Sequence, residues 1–81
     1  LKIEITSGDI RDSWSGSQLN PVALALNRQC GWRWSVTDDM AVRYSENEHR
    51  REYPLPNQVR KFLQRYYDEK VVVPFAFELE V

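Results

Sequence analysis

The 81-residue chain has one cysteine (Cys30), one histidine (His49), one methionine and three glycines, and each scarcity removes a class of protein. A lone thiol closes no internal disulfide, so the usual staple of small secreted domains is missing and a reducing, cytoplasmic setting is expected. One Cys and one His do not make a ligand-spaced cluster, which argues against a metal site. Ser7-Gly8-Asp9 and Ser15-Gly16-Ser17 contain isolated glycines that match neither the dinucleotide nor the Walker pattern and read as turns. No cofactor is expected. The longest apolar stretch near either end, Val71 to Ala76, is interrupted by Pro74 and falls far short of the roughly 20 residues of a membrane span, so no membrane anchor is expected. Excess charge is missing too: 11 Lys+Arg against 12 Asp+Glu give a formal net charge of -1, without the basic signature of a protein that clamps a nucleic-acid backbone. Leu1 in place of an initiator methionine leads us to expect a trimmed or tag-scarred start.

What is present is the material of a core. At 42% hydrophobic and 28% charged residues the chain has too much apolar surface to remain disordered, and its length suits one domain spanning residues 1–81. Lys2 to Thr6 alternate polar and apolar residues, the period of a half-buried strand with Ile3 and Ile5 inward. Ser7 to Ser17, rich in Ser, Asp and Gly, supplies turns and caps, and a single helical turn there would tuck Ile10 and Trp14 inward. Asn20-Pro21 reads as a helix start, with Val22, Ala25, Leu26 and Cys30 along the helix and Gly31 as its left-handed stop. Trp32, Trp34 and Val36, then Met40, Val42 and Tyr44, fall on the apolar beats of two strands around Thr37-Asp38-Asp39, a hairpin signal. Ser45 to Glu52 is expected to be a solvent-facing loop or a frayed strand extension. Val59, Phe62, Leu63 and Tyr66 at i, i+3, i+4 and i+7 make the clearest helix, with Arg60, Lys61, Gln64 and Arg65 outside. Phe75, Phe77, Leu79 and Val81 mark a final strand with one wet face.

The order strand, helix, strand, strand, helix, strand predicts an α+β fold of ferredoxin-like type: a four-stranded antiparallel sheet with both helices on one face. Its inward set is Ile3, Ile5, Trp32, Trp34, Val36, Val42, Phe75, Phe77 and Leu79. An α+β arrangement with a mixed or three-stranded sheet is the alternative.

The chemical content is modest. Cys30 reads as an ordinary buried thiol near a helix end, and a Cys–His nucleophile would require the fold to carry His49 out of a polar loop. The acidic pairs Asp38-Asp39 and Asp68-Glu69 sit at a turn and a helix end, where carboxylates are solvated rather than tuned for acid–base work. Two features could bind a partner. Arg50, Arg51, Arg60, Lys61 and Arg65 cluster in sequence, with Lys61 and Arg65 at i,i+4, where like charges repel; a polyanionic or acidic-protein partner would rationalise the spacing, and a solvated face balanced by nearby acids is the competing reading. Trp14, in a Ser/Gly-rich loop, is either folded back as a lid or presented as an anchor. RNA-recognition domains share the predicted element order, but the expected open face here carries Lys2, Glu4, Arg33, Ser35, Arg43, Glu78 and Glu80, without a ring for base stacking.

Ile-Thr-Ser-Gly-Asp-Ile at 5–10, Pro-Val-Ala-Leu-Ala-Leu at 21–26, Leu-Pro-Asn-Gln-Val-Arg-Lys-Phe at 55–62 and Val-Pro-Phe-Ala-Phe-Glu-Leu at 73–79 together resemble a group of short uncharacterised proteins carried by bacteriophages and some bacteria. Members of that group open the first helix with Cys-Pro and an Ala-Leu-rich run, and close with a Pro-Phe-x-Phe strand. The resemblance spans nearly the full chain and implies a phage-type accessory protein of unknown activity. Asn20 stands where the group commonly has cysteine, which argues against a shared thiol function. The expectation is therefore a small non-enzymatic protein that binds and modulates a host or phage protein in the host cytoplasm, with homodimerisation and strand addition at a sheet edge as part of its repertoire. Its contacts are expected from Trp14, Arg50, Arg51, Arg60, Lys61 and Arg65. A nucleic-acid-associated regulator using the same arginines is the first alternative, and an enzyme the second.

Overall fold

A computed structural model describes residues 1–31, 33–45 and 49–80. In chain order these form β1 (Lys2–Ile5), α1 (Ser7–Arg11), α2 (Pro21–Cys30), β2 (Trp34–Val36), β3 (Met40–Tyr44), β4 (Arg50–Pro54), α3 (Asn57–Tyr67) and β5 (Phe75–Glu78). The α+β class holds, but the four-stranded ferredoxin-like sheet gives way to two antiparallel sheets among the described residues, one of order β1-β5 and one of order β2-β3-β4. Trp32, the polar residues 46–48 and Val81, all given roles in the sequence reading, lie outside the described residues.

The helices start and stop where their caps dictate. Asn20 accepts from the Ala23 N–H at 2.9 Å, Pro21 occupies the first helical position, and Gly31 ends α2 in the left-handed region at φ 66°. Thr6 and Asp9 form a reciprocal capping box that turns the expected single turn into α1. Ile10 packs half-buried against the core, but the helix has ended before Trp14, which is 71% exposed rather than tucked inward. In α3 the predicted stripe holds: Val59, Phe62 and Leu63 are buried, and half-buried Tyr66 shares a 2.8 Å hydrogen bond with Ser13.

The hairpin forms as expected, with its far strand facing the other way. The register places Val36 opposite Ala41 and Trp34 opposite Arg43, so Ala41 and Arg43 share the Trp34 face and Met40, Val42 and Tyr44 lie on the reverse. Ala41 enters the core, Val42 is buried on the opposite face outside the main cluster, and the Arg43 guanidinium lies over the Trp34 ring at 5.8 Å. Arg43 thus leaves the wet face to which the sequence assigned it. Of the two alternatives for Ser45 to Glu52 the strand prevails from Arg50 onward, for Arg50–Pro54 pairs along β3 as an edge strand, placing Tyr53 across from Ala41 and its ring 5.7 Å from that of Trp34. Pro54 is accommodated because an edge strand needs no N–H on its outer side. The core gathers Ile3, Ile5, Val22, Leu26, Trp34, Val36, Val59, Leu63, Phe77 and Leu79, with Leu55 added from the β4–α3 link.

The two sheets stay separate because β4 takes the second edge of β3 and because polar side chains in and just before α2 bond outward backbone groups of β1 and β2. Leu1 and Leu79 exchange backbone bonds of 3.0 and 2.8 Å, so by the antiparallel alternation Glu4 turns its backbone groups away from β5. There Gln29 substitutes for a strand: its Oε1 accepts from the Glu4 N–H at 3.0 Å and its Nε2 donates to the Glu4 carbonyl at 2.6 Å, where Arg28 also donates. On β2 the Trp34 N–H donates to Asn27 Oδ1 at 3.0 Å and the Val36 N–H to the Ser17 carbonyl, while Asn20 Nδ2 donates to the Val36 carbonyl at 2.9 Å. Arg28 further forks onto buried Asp9 with bonds of 3.2 and 2.9 Å. Burial pushes the Asp9 carboxyl up, but the bonds from Arg28 and Thr6 outweigh it and hold the group below the ordinary aspartate value.

Candidate functional site

The C-terminal end of α3 is built by a Schellman motif: the Glu69 N–H donates to the Tyr66 carbonyl at 3.1 Å and the Lys70 N–H to the Arg65 carbonyl at 2.9 Å. Glu69 takes the left-handed position at φ 59°, where glycine is usual, and reverses the chain. The Arg65 guanidinium then donates to the Val71 carbonyl at 3.1 Å, tying the returning segment to the helix it has just left. Between them lies a cleft of about 450 Å³, lined by Gln58, Lys61, Phe62 and Arg65 of α3 and by Val71, Val72, Val73 and Phe75. The Phe62 and Phe75 rings, 5.0 Å apart, belong to its apolar part. Val71 and Val73 remain 81% and 66% exposed.

The six residues singled out from the sequence are therefore divided among different surfaces. Lys61 and Arg65 line this cleft together. Arg60, bonded to Asn57 Oδ1, lines a second cleft of about 570 Å³ with Asp38, Asp39, Gln64, Tyr67 and Asp68. Carboxylates expected to be separately solvated at a turn and a helix end thus converge on one surface with a guanidinium. Arg50 and Arg51 belong to β4, where Arg50 pairs with Glu52 at 2.7 Å and Arg51 stands directly across from Arg43. Trp14 lies in the loop after α1, its backbone N–H donating to the carbonyl of Leu19 at 2.9 Å, and Leu19 is itself exposed, though less so than Trp14. A single continuous basic patch is not what the fold makes of these side chains.

Cys30 ends α2 half-buried, and His49 precedes β4, exposed, its N–H donating to Ser45 Oγ. Among the described residues no group of three or more His, Cys, Asp or Glu is placed to hold a metal ion, and no helix is long and apolar enough to cross a membrane. The sequence reading gave the valines of the cleft no role beyond an apolar stretch too short to span a membrane; the signal that could have found them is Pro74, which has no N–H of its own to give a sheet ladder and stands immediately before β5 at Phe75. No protein-family model, curated protein or solved structure matches the chain.

Proposed function

We propose that the protein is a small non-enzymatic accessory module, of the phage type its sequence motifs resemble, that binds and modulates another protein in the host cytoplasm through the cleft between α3 and residues 71–75. The observation that carries the reading is the exposure of Val71 and Val73 beside the Phe62–Phe75 floor. Leaving two valines in water forgoes roughly 1.5 kcal/mol each that burial would return. An apolar recess rimmed by polar groups is the usual form of a protein-recognition surface. The nucleic-acid alternative draws less support, since Arg50 is paired with Glu52 and Arg60 faces three aspartates across its cleft.

Selection of a random-peptide display library against the immobilised protein tests this. We expect enrichment of apolar peptides whose capture is lost on Val73→Asp, with the far-UV circular dichroism spectrum and urea midpoint of the variant unchanged. Capture that survives Val73→Asp, or none at all, would remove the cleft from the account.

A further inference from the structure

We infer that the partner segment taken by this cleft is acidic as well as apolar: a peptide in which aliphatic or aromatic side chains enter between Val73 and Phe62 while carboxylates meet Lys61 and Arg65. The inference rests on the protein-binding reading above and adds the partner's chemistry. It starts from charge. Lys61 and Arg65 stand one helical turn apart on α3, a like-charge spacing that disfavours the helix in isolation. Among the described residues neither is within 4.0 Å of a carboxylate, as is also true of Arg33, Arg43, Arg51, Arg60 and Lys70, but of these cations only Lys61 and Arg65 line the apolar cleft. Arg65 spends one Nη2 donor on the neutral Val71 carbonyl, which fixes its guanidinium at the rim without cancelling its charge.

Both cations border the same apolar floor, so one ligand could bury its apolar groups and neutralise the rim at once. A neutral apolar peptide would leave the rim unpaired, and a basic one would add repulsion. Backbone geometry adds a second argument for a peptide. By the alternation set at Leu1 and Leu79, Ala76 and Glu78 of β5 turn their backbone groups to the edge opposite β1, and no described residue bonds them. An extended segment following Phe75 out of the cleft would find a strand edge ready to pair.

Three short fluorescein-labelled peptides in which Leu alternates with Glu, Ser or Lys provide the probes, read by fluorescence polarisation and by backbone amide NMR shifts. The Glu peptide is expected to bind about tenfold more tightly than the Ser peptide and to shift Val71, Val73, Phe62 and Ala76. Lys61→Glu should abolish that preference and transfer it to the Lys peptide, and added salt should narrow it. If the Ser or Lys peptide binds as well as the Glu peptide at these same resonances, the acidic partner is wrong while the binding cleft stands. If none of the three moves them, both readings fall. Shifts that instead grow with protein concentration alone, or with anionic lipid vesicles, would replace the peptide by a second copy or by a membrane surface and overturn the inference.

Discussion

Glu4 of β1 and Trp34 and Val36 of β2 have outward backbone groups bonded by side chains of α2 and by the residues before it, whereas the outward backbone groups of β4 and β5 have no bonding partner among the described residues. The closed edges are finished by amides, Gln29 and Asn27 with Asn20, because a carboxamide offers the same donor and acceptor pair as a peptide unit. The open edges are guarded differently. β4 carries Arg50, Arg51 and Glu52 and ends in Pro54; β5 is preceded by Pro74 and stands beside the Lys61–Arg65 cleft. The contrast separates a half in which polar groups are consumed by structure from one in which they stay available, and the proposed binding surface lies in the second.

Asn20 offers the most severe way to break the contrast. It is fully buried and makes three bonds, accepting from Ala23 and donating to Val36 and to the Tyr67 hydroxyl at 3.1 Å. Asn20→Ala removes a helix cap and strands a buried carbonyl, and should cost about 3 kcal/mol in urea unfolding. A loss below about 1 kcal/mol would mean that water or a neighbour closes the β2 edge as well as Asn20 does.

Asp9→Asn comes next. It keeps the shape of the capping box but removes the charge that Arg28 grips, for an expected loss of about 1–2 kcal/mol at neutral pH. The folded carboxyl lies below the ~3.9 of an unfolded aspartate, so its contribution is present above that value and is lost as pH falls through the folded one. Stability of the wild type should therefore converge on that of Asp9→Asn in strongly acidic solution, and parallel pH profiles for the two would contradict a stabilising Asp9–Arg28 pair.

Gln29→Ala sharpens the comparison at the smallest energetic scale. Losing the paired bonds to Glu4 should cost only about 0.5–1 kcal/mol, since the site is exposed and water can substitute. The larger readout is association: β1 would then present a more open edge, and sedimentation should show more self-association than the wild type has at the same concentration. A variant that stays as monodisperse as the wild type would show that Arg28 alone closes the edge.

The candidate site was legible only in part, and for an identifiable reason. Lys61 and Arg65 were visible as exposed cations because the 3.6-residue stripe of α3 leaves them no other face. Their separation from Arg60, and of all three from Arg50 and Arg51, was not visible, because nearness in sequence across a helix does not specify which neighbour each side chain meets. Ala41 shows the same limit in the core, since a methyl group carries too little hydropathy to outvote Met40, Val42 and Tyr44 when the inward beat is chosen.

Local chemistry, read from residues alone, was enough for the helix limits at Asn20, Pro21 and Gly31, the stripe of α3, the hairpin around residues 37–39 and most of the core. These depend on backbone preferences and on periods contained within a few consecutive residues. How the strands divide into two sheets, which face β3 buries, and whether Trp14, Val71 and Val73 meet protein or water were decided only in three dimensions. Those outcomes turn on competition between distant groups for the same donors, acceptors and apolar surface, as when Gln29 takes the place that another strand would have filled.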